Sequence, residues 1–172
     1  IYKGDHFGEV IWTQFNSGNT YNERYYEDDA TKTDFNVFAK LNQNLSKKWS
    51  VFADLQLRRV TYEANAEDTG LVDDTFNFFN PKAGLSFNPN RNNNFYFSYA
   101  VANREPNRSD YENGNPKPER LGDFELGWRY VSPDVQVNTN VYYMRYKDQL
   151  VLTGELDDVG APVRSNVGDS YR

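Results

Sequence analysis

The sequence predicts an all-β protein: an antiparallel transmembrane β-barrel segment of about eight strands, with short periplasmic turns and long extracellular loops. Three observations support this prediction. Apolar and polar residues alternate with a period of two along most of the 172 residues, as expected of strands with two different faces. Short polar turns alternate with long polar connections, and aromatic residues collect where the apolar strips meet the short turns.

Six stretches show the alternation clearly and are predicted to be strands. In the stretch WSVFADLQLRR (49–59), the apolar residues occupy the odd positions, and mostly polar residues occupy the even ones. The apolar faces of the other five stretches comprise Phe35, Val37, Ala39 and Leu41; Ala83, Leu85 and Phe87; Phe95, Phe97, Tyr99 and Val101; Phe124, Leu126, Trp128 and Tyr130; and Val135, Val137, Val141 and Tyr143. Two terminal strands are predicted over 7–15, where the faces are ambiguous, and over 162–172.

The connections sort into two kinds. Residues 45–48, 88–93 and 132–134 are short and rich in Asn, Pro, Ser and Asp, the residues that turns select. Long polar links are predicted over 16–32, 63–79, 103–119 and 148–161. Because the two kinds alternate, all short turns would lie at one end of the sheet and all long links at the other.

The two faces of the strands have different chemistry. The apolar strips last about nine to eleven residues, enough for a tilted strand to cross a hydrocarbon layer. Charged residues such as Asp54 and Arg58 have the opposite parity, which would face the lumen. Aromatic residues flank the short turns and form a predicted membrane girdle, which consists of Trp49, Phe87, Phe95, Trp128 and Tyr130. A soluble β-sandwich also alternates, but its loops do not sort into a short end and a long end.

Composition argues against several other classes of function. The net charge is -6 and no basic run exceeds two residues, so the electrostatic footprint of a nucleic-acid-binding protein is missing. Without Cys, and with His6 as the single His, neither a thiolate metal site nor a His-rich one is predicted. The acidic clusters 27–29, 73–74 and 155–158 lack the ligand spacing of a calcium loop. They are interpreted as solvated loop charge, with weak calcium binding by the loops as the alternative. No phosphate loop or nucleophile elbow occurs, so we predict neither an enzyme nor a bound cofactor.

Four segments resemble the C-terminal half of the β-barrel of TonB-dependent outer-membrane receptors: NFFNPKAGLSFNP, YFSYAVANREPNRSDY, PKPERLGDFELGWRY and NVYYMRYKDQLVLTGELDDVGAPVRSNVGDSYR. The resemblance covers essentially the whole chain. It implies a 22-stranded barrel in the Gram-negative outer membrane, plugged by an N-terminal domain. Such a receptor imports a scarce ligand, such as a ferric siderophore, haem, cobalamin or a glycan, with energy from an inner-membrane complex.

On this resemblance, residues 1–172 are expected to be a partial β-barrel domain. The plug, the energy-coupling segment and the remaining strands are not in this sequence, and the chain ends GDSYR where such barrels usually end on an aromatic residue. The implied partners are outer-membrane lipid, the receptor's own plug and remaining strands, the TonB energy-coupling complex, and a small-molecule or glycan ligand.

A transporter of this kind would contact its ligand through outer loops and lumen-facing strand residues. Arg suits the recognition of carboxylates and Tyr offers a stacking face with a hydroxyl at its tip. The candidate ligand-binding residues are Arg104, Asn107, Arg108, Asp110 and Tyr111 in the link 103–119, with Tyr142 and Tyr146 on the lumen parity of a following strand. The alternative role for these residues is to hold the loop together.

Two other functions fit the pattern of strands. The chain is long enough for an independent eight-stranded outer-membrane barrel that acts as an adhesin or structural anchor. It could also be a secreted β-sandwich that binds carbohydrate through surface aromatic residues. The sandwich would be soluble without detergent, whereas either barrel would not.

Overall fold

The computed structural model describes residues 1–14, 21–66, 69–112, 114–157 and 160–172. These residues form eight strands and one short helix. In chain order these are β1 (Tyr2–Glu9), β2 (Arg24–Asn44), β3 (Trp49–Ala66), β4 (Gly70–Phe87), β5 (Asn93–Arg104), α1 (Arg108–Tyr111), β6 (Glu119–Val131), β7 (Gln136–Leu156) and β8 (Pro162–Tyr171). The all-β prediction is confirmed.

The strands form one sheet in the order β1-β2-β3-β4-β5-β6-β7-β8, and every neighbouring pair is antiparallel. Each strand therefore pairs with the strand that precedes it and the strand that follows it in the chain. β1 and β8 lie at the two edges of the described sheet, whereas a closed eight-stranded barrel would pair them. No helix of the described residues is long and apolar enough to cross a membrane.

The strand register brings the predicted apolar strips together on one face. Leu85 pairs with Val51 on β3 and with Phe97 on β5, and the same row continues through Leu126 to Val141. We call this side the outer face. Many of its side chains are exposed, and Leu126 is 59% exposed. The opposite side, the inner face, carries the charged residues of the other parity.

Strands extend into three of the four predicted long links. β2 begins inside the link 16–32, β3 and β4 fill most of 63–79, and β7 runs well into 148–161. These strand ends carry polar residues on both faces, such as Glu63 on the outer face and Asp74 on the inner face, so the alternation with a period of two is lost. The backbone is still paired in a ladder. The predicted link 103–119 remains a long connection between strands, and we call its residues 105–118 the β5–β6 loop.

The short turns occur where they were predicted, and the terminal strands agree unequally with the sequence. β8 matches the prediction over 162–172. The first strand lies earlier than the predicted 7–15 and ends at Glu9, next to a register shift between Gly8 and Glu9. Just beyond it, Val10 still exchanges backbone hydrogen bonds with Asn22 and Glu23. Residues 15–20, 67–68, 113 and 158–159, which fall within these predictions, lie outside the described residues.

The ladder between β4 and β5 is short. It joins residues 82–87 to residues 95–100 and stops at Pro81, which has no N–H to donate. Beyond it, the side-chain oxygen of Asn80 accepts hydrogen bonds from the backbone and side-chain nitrogens of Asn103, at 3.0 and 2.8 Å. Among the described residues, the part of β4 that precedes Pro81 pairs with β3 alone.

The buried core is small and lies under the β5–β6 loop. Ala64 of β3 and Val72 of β4 pack with Tyr111 of α1, and Ala30 and Tyr62 border the cluster. This contact places the loop on the inner face. The fold therefore keeps its main apolar surface on the outer face and uses the inner face to position one polar loop.

Candidate functional site at the inner face

The β5–β6 loop is built around the single turn α1. Asn107 is its N-cap: its side-chain oxygen accepts from the backbone N–H of Asp110 at 3.2 Å. In return the Asp110 carboxylate accepts from the backbone N–H of Asn107 at 2.8 Å, so the two residues form a reciprocal capping box. The hydroxyl of Ser109 also donates to the Asn107 side chain. These local bonds fix the loop's shape independently of the sheet.

Glu105 fastens the start of the loop to β2 and β3. Its carboxylate accepts from Lys32 Nζ at 2.7 Å and from Arg58 Nη1 at 2.8 Å, and Arg58 also donates to Asp34 of β2. The Glu105 side chain is 8% exposed. Burial by itself would raise the pKa of this carboxyl, but the hydrogen bonds from Lys32 and Arg58 outweigh burial and lower the pKa to about 2. Glu105 is therefore ionised at neutral pH.

Two residues of α1 hold the helix to the same side of the sheet. Arg108 Nη2 donates to Asp28 Oδ2 of β2 at 2.7 Å. The hydroxyl of Tyr111 donates to Asp74 Oδ2 of β4 at 2.7 Å, and its ring lies 5.6 Å from that of Tyr62. Burial and the neighbouring Asp74 carboxylate raise the pKa of Tyr111, so its phenol stays protonated and keeps donating.

The far side of the loop reaches β8. The backbone N–H of Lys117 donates to Asn166 Oδ1 at 2.7 Å, and Asn166 Nδ2 donates back to the carbonyl of Lys117 at 3.0 Å. The buried Asp110 carboxylate lies 4.0 Å from Arg164 Nη1. The loop thus spans the inner face from β2 to β8. A segment tied at both ends can hold charged groups in fixed positions over the interior.

Most of the sequence-predicted ligand residues lie on this loop, and the structure gives them partners. Asn107, Arg108, Asp110 and Tyr111 make the contacts described above, and Arg104 pairs with Glu119 at the loop base, at 2.5 Å. The other two lie apart from it on β7.

Tyr142 stands opposite Glu125 on the inner face and is 46% exposed, and Tyr146 stands opposite Leu121. Among the described residues, neither tyrosine makes a hydrogen bond or a ring contact with α1; the Tyr146 hydroxyl lies 3.7 Å from Met144 Sδ. Ligand binding by the seven residues stays a prediction.

Sequence reasoning missed the groups that anchor the loop. Lys32, Asp28 and Asp74 lie in predicted links, and the sequence pattern assigns no role to Glu105. One signal was available: Arg58 has the lumen parity of β3, so a buried carboxylate was needed near it. Which carboxylate would fill that role depends on the path of the loop, which the sequence pattern does not encode.

The predicted girdle residues lie on the outer face beside the short turns. Trp49 stacks on Phe87 with ring centroids 4.3 Å apart, and Phe95 stacks on Trp128 at 6.3 Å. Trp128 also lies 6.3 Å from Tyr130, and its Nε1 donates to a side chain of the turn, Asn93, at 2.9 Å. This pairing of an apolar ring with a polar tip suits a membrane interface, and the girdle role stays a prediction.

An up-and-down sheet with an apolar outer face and a polar, loop-covered inner face is the architecture of a barrel wall. Residues 2–172 match the family described as TonB dependent receptor-like, beta-barrel. The chain belongs to this family. No curated protein sequence matches it significantly.

Solved structures share its fold at low sequence identity. The copper transporter OprC has a TM-score of 0.70 and 15% identity, and the match covers 86% of this chain and 25% of that one. The ferric-catecholate import receptor Fiu from E. coli K12 has a TM-score of 0.64 and 15% identity, and the match covers 85% of this chain and 25% of that one. The alcaligin outer-membrane receptor FauA from Bordetella pertussis has a TM-score of 0.60 and 16% identity, and the match covers 81% of this chain and 26% of that one. The chain thus spans about a quarter of the length of these structures.

Proposed function

We propose that residues 1–172 are a partial barrel domain: eight consecutive strands in the wall of a larger, 22-stranded TonB-dependent receptor of the Gram-negative outer membrane. The open edges at β1 and β8 support this, since both present backbone groups that neighbouring strands would pair. The exposed apolar outer face supports it too, because such a surface needs lipid to cover it.

The receptor would import a scarce ligand across the outer membrane. The candidate ligands are a ferric siderophore, haem, cobalamin or a glycan, and the similar structures of siderophore and copper receptors favour a metal chelate. Its partners would be its own plug domain, the TonB energy-coupling complex and the surrounding lipid. The family and the similar structures are receptors and transporters, so transport without catalysis is the activity we propose.

The observation that carries this proposal is the path of the β5–β6 loop across the inner face. A loop fixed by Glu105 at one end and by Asn166 at the other can present polar groups to a ligand that enters the barrel. Asp110 and Tyr111 are buried and would shape the loop. Arg104 and Arg108 keep 50% and 33% of their side chains exposed, so their guanidinium groups can reach an anionic chelate.

Tyr142 and Tyr146 would complete the site from the barrel wall. They lie four residues apart in β7, and both are on its inner face. Tyr142 is the more exposed of the two and would stack against a planar or aromatic part of the ligand. Asn107 would act indirectly, through its cap on α1.

The test is uptake by the full-length receptor in cells that lack their own transporters for the probes. The probes are a ferric catecholate, a ferric hydroxamate, haemin, cyanocobalamin and a maltodextrin. We expect one of them to be taken up, only when the energy-coupling complex is present. Arg108→Gln should lower uptake of that probe, whereas the matched change Arg91→Gln, on a short turn, should leave it unchanged. Failure to take up any probe, with correct insertion into the membrane, would contradict the proposal.

A further inference from the structure

The outer face of β6 and β7 carries three cations directly beyond its apolar strip. We call Arg120, Arg145 and Lys147 the outer basic patch. The register places Arg120 opposite Lys147, and Arg145 one row nearer the apolar strip, opposite Gly122. All three side chains are exposed. The strips of the six clear strands carry no charge within their apolar parts, so the patch marks the place where that strip ends.

The patch has an excess of positive charge. Arg145 lies 3.5 Å from Asp169 of β8, in a pair whose side chains are both about two-thirds exposed. Arg120 and Lys147 have no ion-pair partner among the described residues. An exposed pair of this kind contributes little, and two of the three cations are left available to an external anion.

A cleft of about 390 Å³ lies at the patch. Its lining includes Arg120, Arg145 and Lys147, and Gly122 contributes no side chain to the space between them. Aromatic rings form its lower edge, where Tyr99 packs on Phe124 at 4.4 Å. The site therefore offers charge above and an apolar, aromatic surface below.

The height of the patch matches the far boundary of a membrane. Arg120 lies ten residues before Tyr130 in β6, and Tyr130 belongs to the predicted girdle on the short-turn side. At about 3.4 Å per residue and a tilt of about 40°, that distance spans about 25 Å across the membrane. A transmembrane barrel has an apolar band about 25 Å tall, so the patch falls where the lipid headgroups of the outer leaflet begin.

From this placement we propose that the outer basic patch binds the phosphate of an anionic lipid headgroup in the outer leaflet. Arg120 and Arg145 would donate to phosphate oxygens, Lys147 would add a point charge, and the acyl chains would lie on Phe124 and Tyr143 below. A free anion in solution would use the cations but not the apolar strip. The proposal rests on the proposed function, because it requires the strands to be inserted in a membrane.

The test is lipid binding to the full-length receptor in detergent, followed by native mass spectrometry. Diphosphoryl lipid A is the anionic probe, phosphatidylcholine the zwitterionic one, and inorganic phosphate the soluble one. The variant combines Arg120→Gln, Arg145→Gln and Lys147→Gln. We expect it to bind lipid A at least about tenfold more weakly, with its phosphatidylcholine binding unchanged.

A matched control removes the same charge from the other end of the barrel. Lys47→Gln, Lys48→Gln and Arg91→Gln change three cations on the short turns and should leave lipid A binding unaltered. Equal binding by the patch variant and the wild type, or an equal loss in the control, would overturn the proposal. Displacement of lipid A by inorganic phosphate at similar concentrations would show that the patch is a site for free phosphate instead.

Heat-modifiable migration on a gel separates this result from failure of the proposed function. A receptor that does not form a heat-modifiable barrel contradicts both proposals. A receptor that forms the barrel and binds the two lipids alike contradicts the lipid site alone.

Discussion

At the scale of single residues, Glu105 decides where the β5–β6 loop lies. It is buried, ionised and bonded to cations on two different strands. We expect Glu105→Gln to weaken the attachment of the loop by about 2 kcal/mol, because the acceptor loses the negative charge that pairs with Lys32 and Arg58. Faster hydrogen exchange of the loop amides in the full-length receptor would report this. Glu155→Gln removes the same charge from an exposed position and serves as the control. If both changes accelerated hydrogen exchange of the loop amides equally, the anchoring role of Glu105 would be contradicted.

The same carboxyl gives the loop a defined pH dependence. The pKa of Glu105 is lowered from 4.5 to about 2 in the folded protein. A carboxyl with a lowered pKa stabilises the fold fully above its unfolded pKa, so this contribution is complete above pH 4.5 and is lost as the pH falls towards 2.

The ¹³C chemical shift of the Glu105 carboxyl should titrate near the lower value. Loop attachment in Glu105→Gln should be nearly independent of pH across the same window. A midpoint near 4.5 would show that the ion pairs do not form in solution.

At the scale of elements, α1 is a single turn that cannot persist without its cap and its tertiary contacts. Asn107→Ala removes the side chain that accepts from Asp110 and should cost about 1 kcal/mol. We expect the effect to appear as faster exchange of the α1 amides, with strand amides unchanged. Asn107→Asp keeps an acceptor at the cap and should restore protection, and an aspartate that behaves like alanine would argue against the cap.

Elements also show what the sequence can predict. The strips of β3, β5 and β6 follow from period-two patterning, because lipid and lumen demand opposite chemistry on alternate residues. The strand ends around 63–79 could not be predicted in this way, since Glu63 on one face and Asp74 on the other are both polar. Their backbones pair because the β3–β4 ladder continues without interruption to the end of the hairpin, and side-chain preference does not determine it. The loop's path was equally inaccessible, because it depends on ion pairs between residues far apart in the chain, such as Lys32 and Glu105.

At the scale of the whole molecule, the same introduced charge should destabilise the two faces to different extents. Leu126 and Glu125 are neighbours in β6 that point to the outer and inner faces. Leu126→Arg should destabilise the inserted receptor by about 2–4 kcal/mol, because the cation would lie within the apolar band. Glu125→Arg should cost much less. Urea unfolding in lipid vesicles would compare the two, and an equal cost would contradict the lipid-facing assignment of this side.

The short ladder between β4 and β5 has a mechanical consequence. Beyond the end of this ladder, β4 and the adjoining ends of β2 and β3 are joined to the rest of the sheet by side-chain contacts. These are the hydrogen bonds of Asn103 to Asn80 and Phe79 and the loop contacts of Glu105, Arg108 and Tyr111. The β5–β6 loop therefore supplies part of the cohesion that the missing ladder would otherwise provide. We expect an anion that displaced Glu105 from Lys32 and Arg58 to remove one of these attachments and so to loosen this part of the wall.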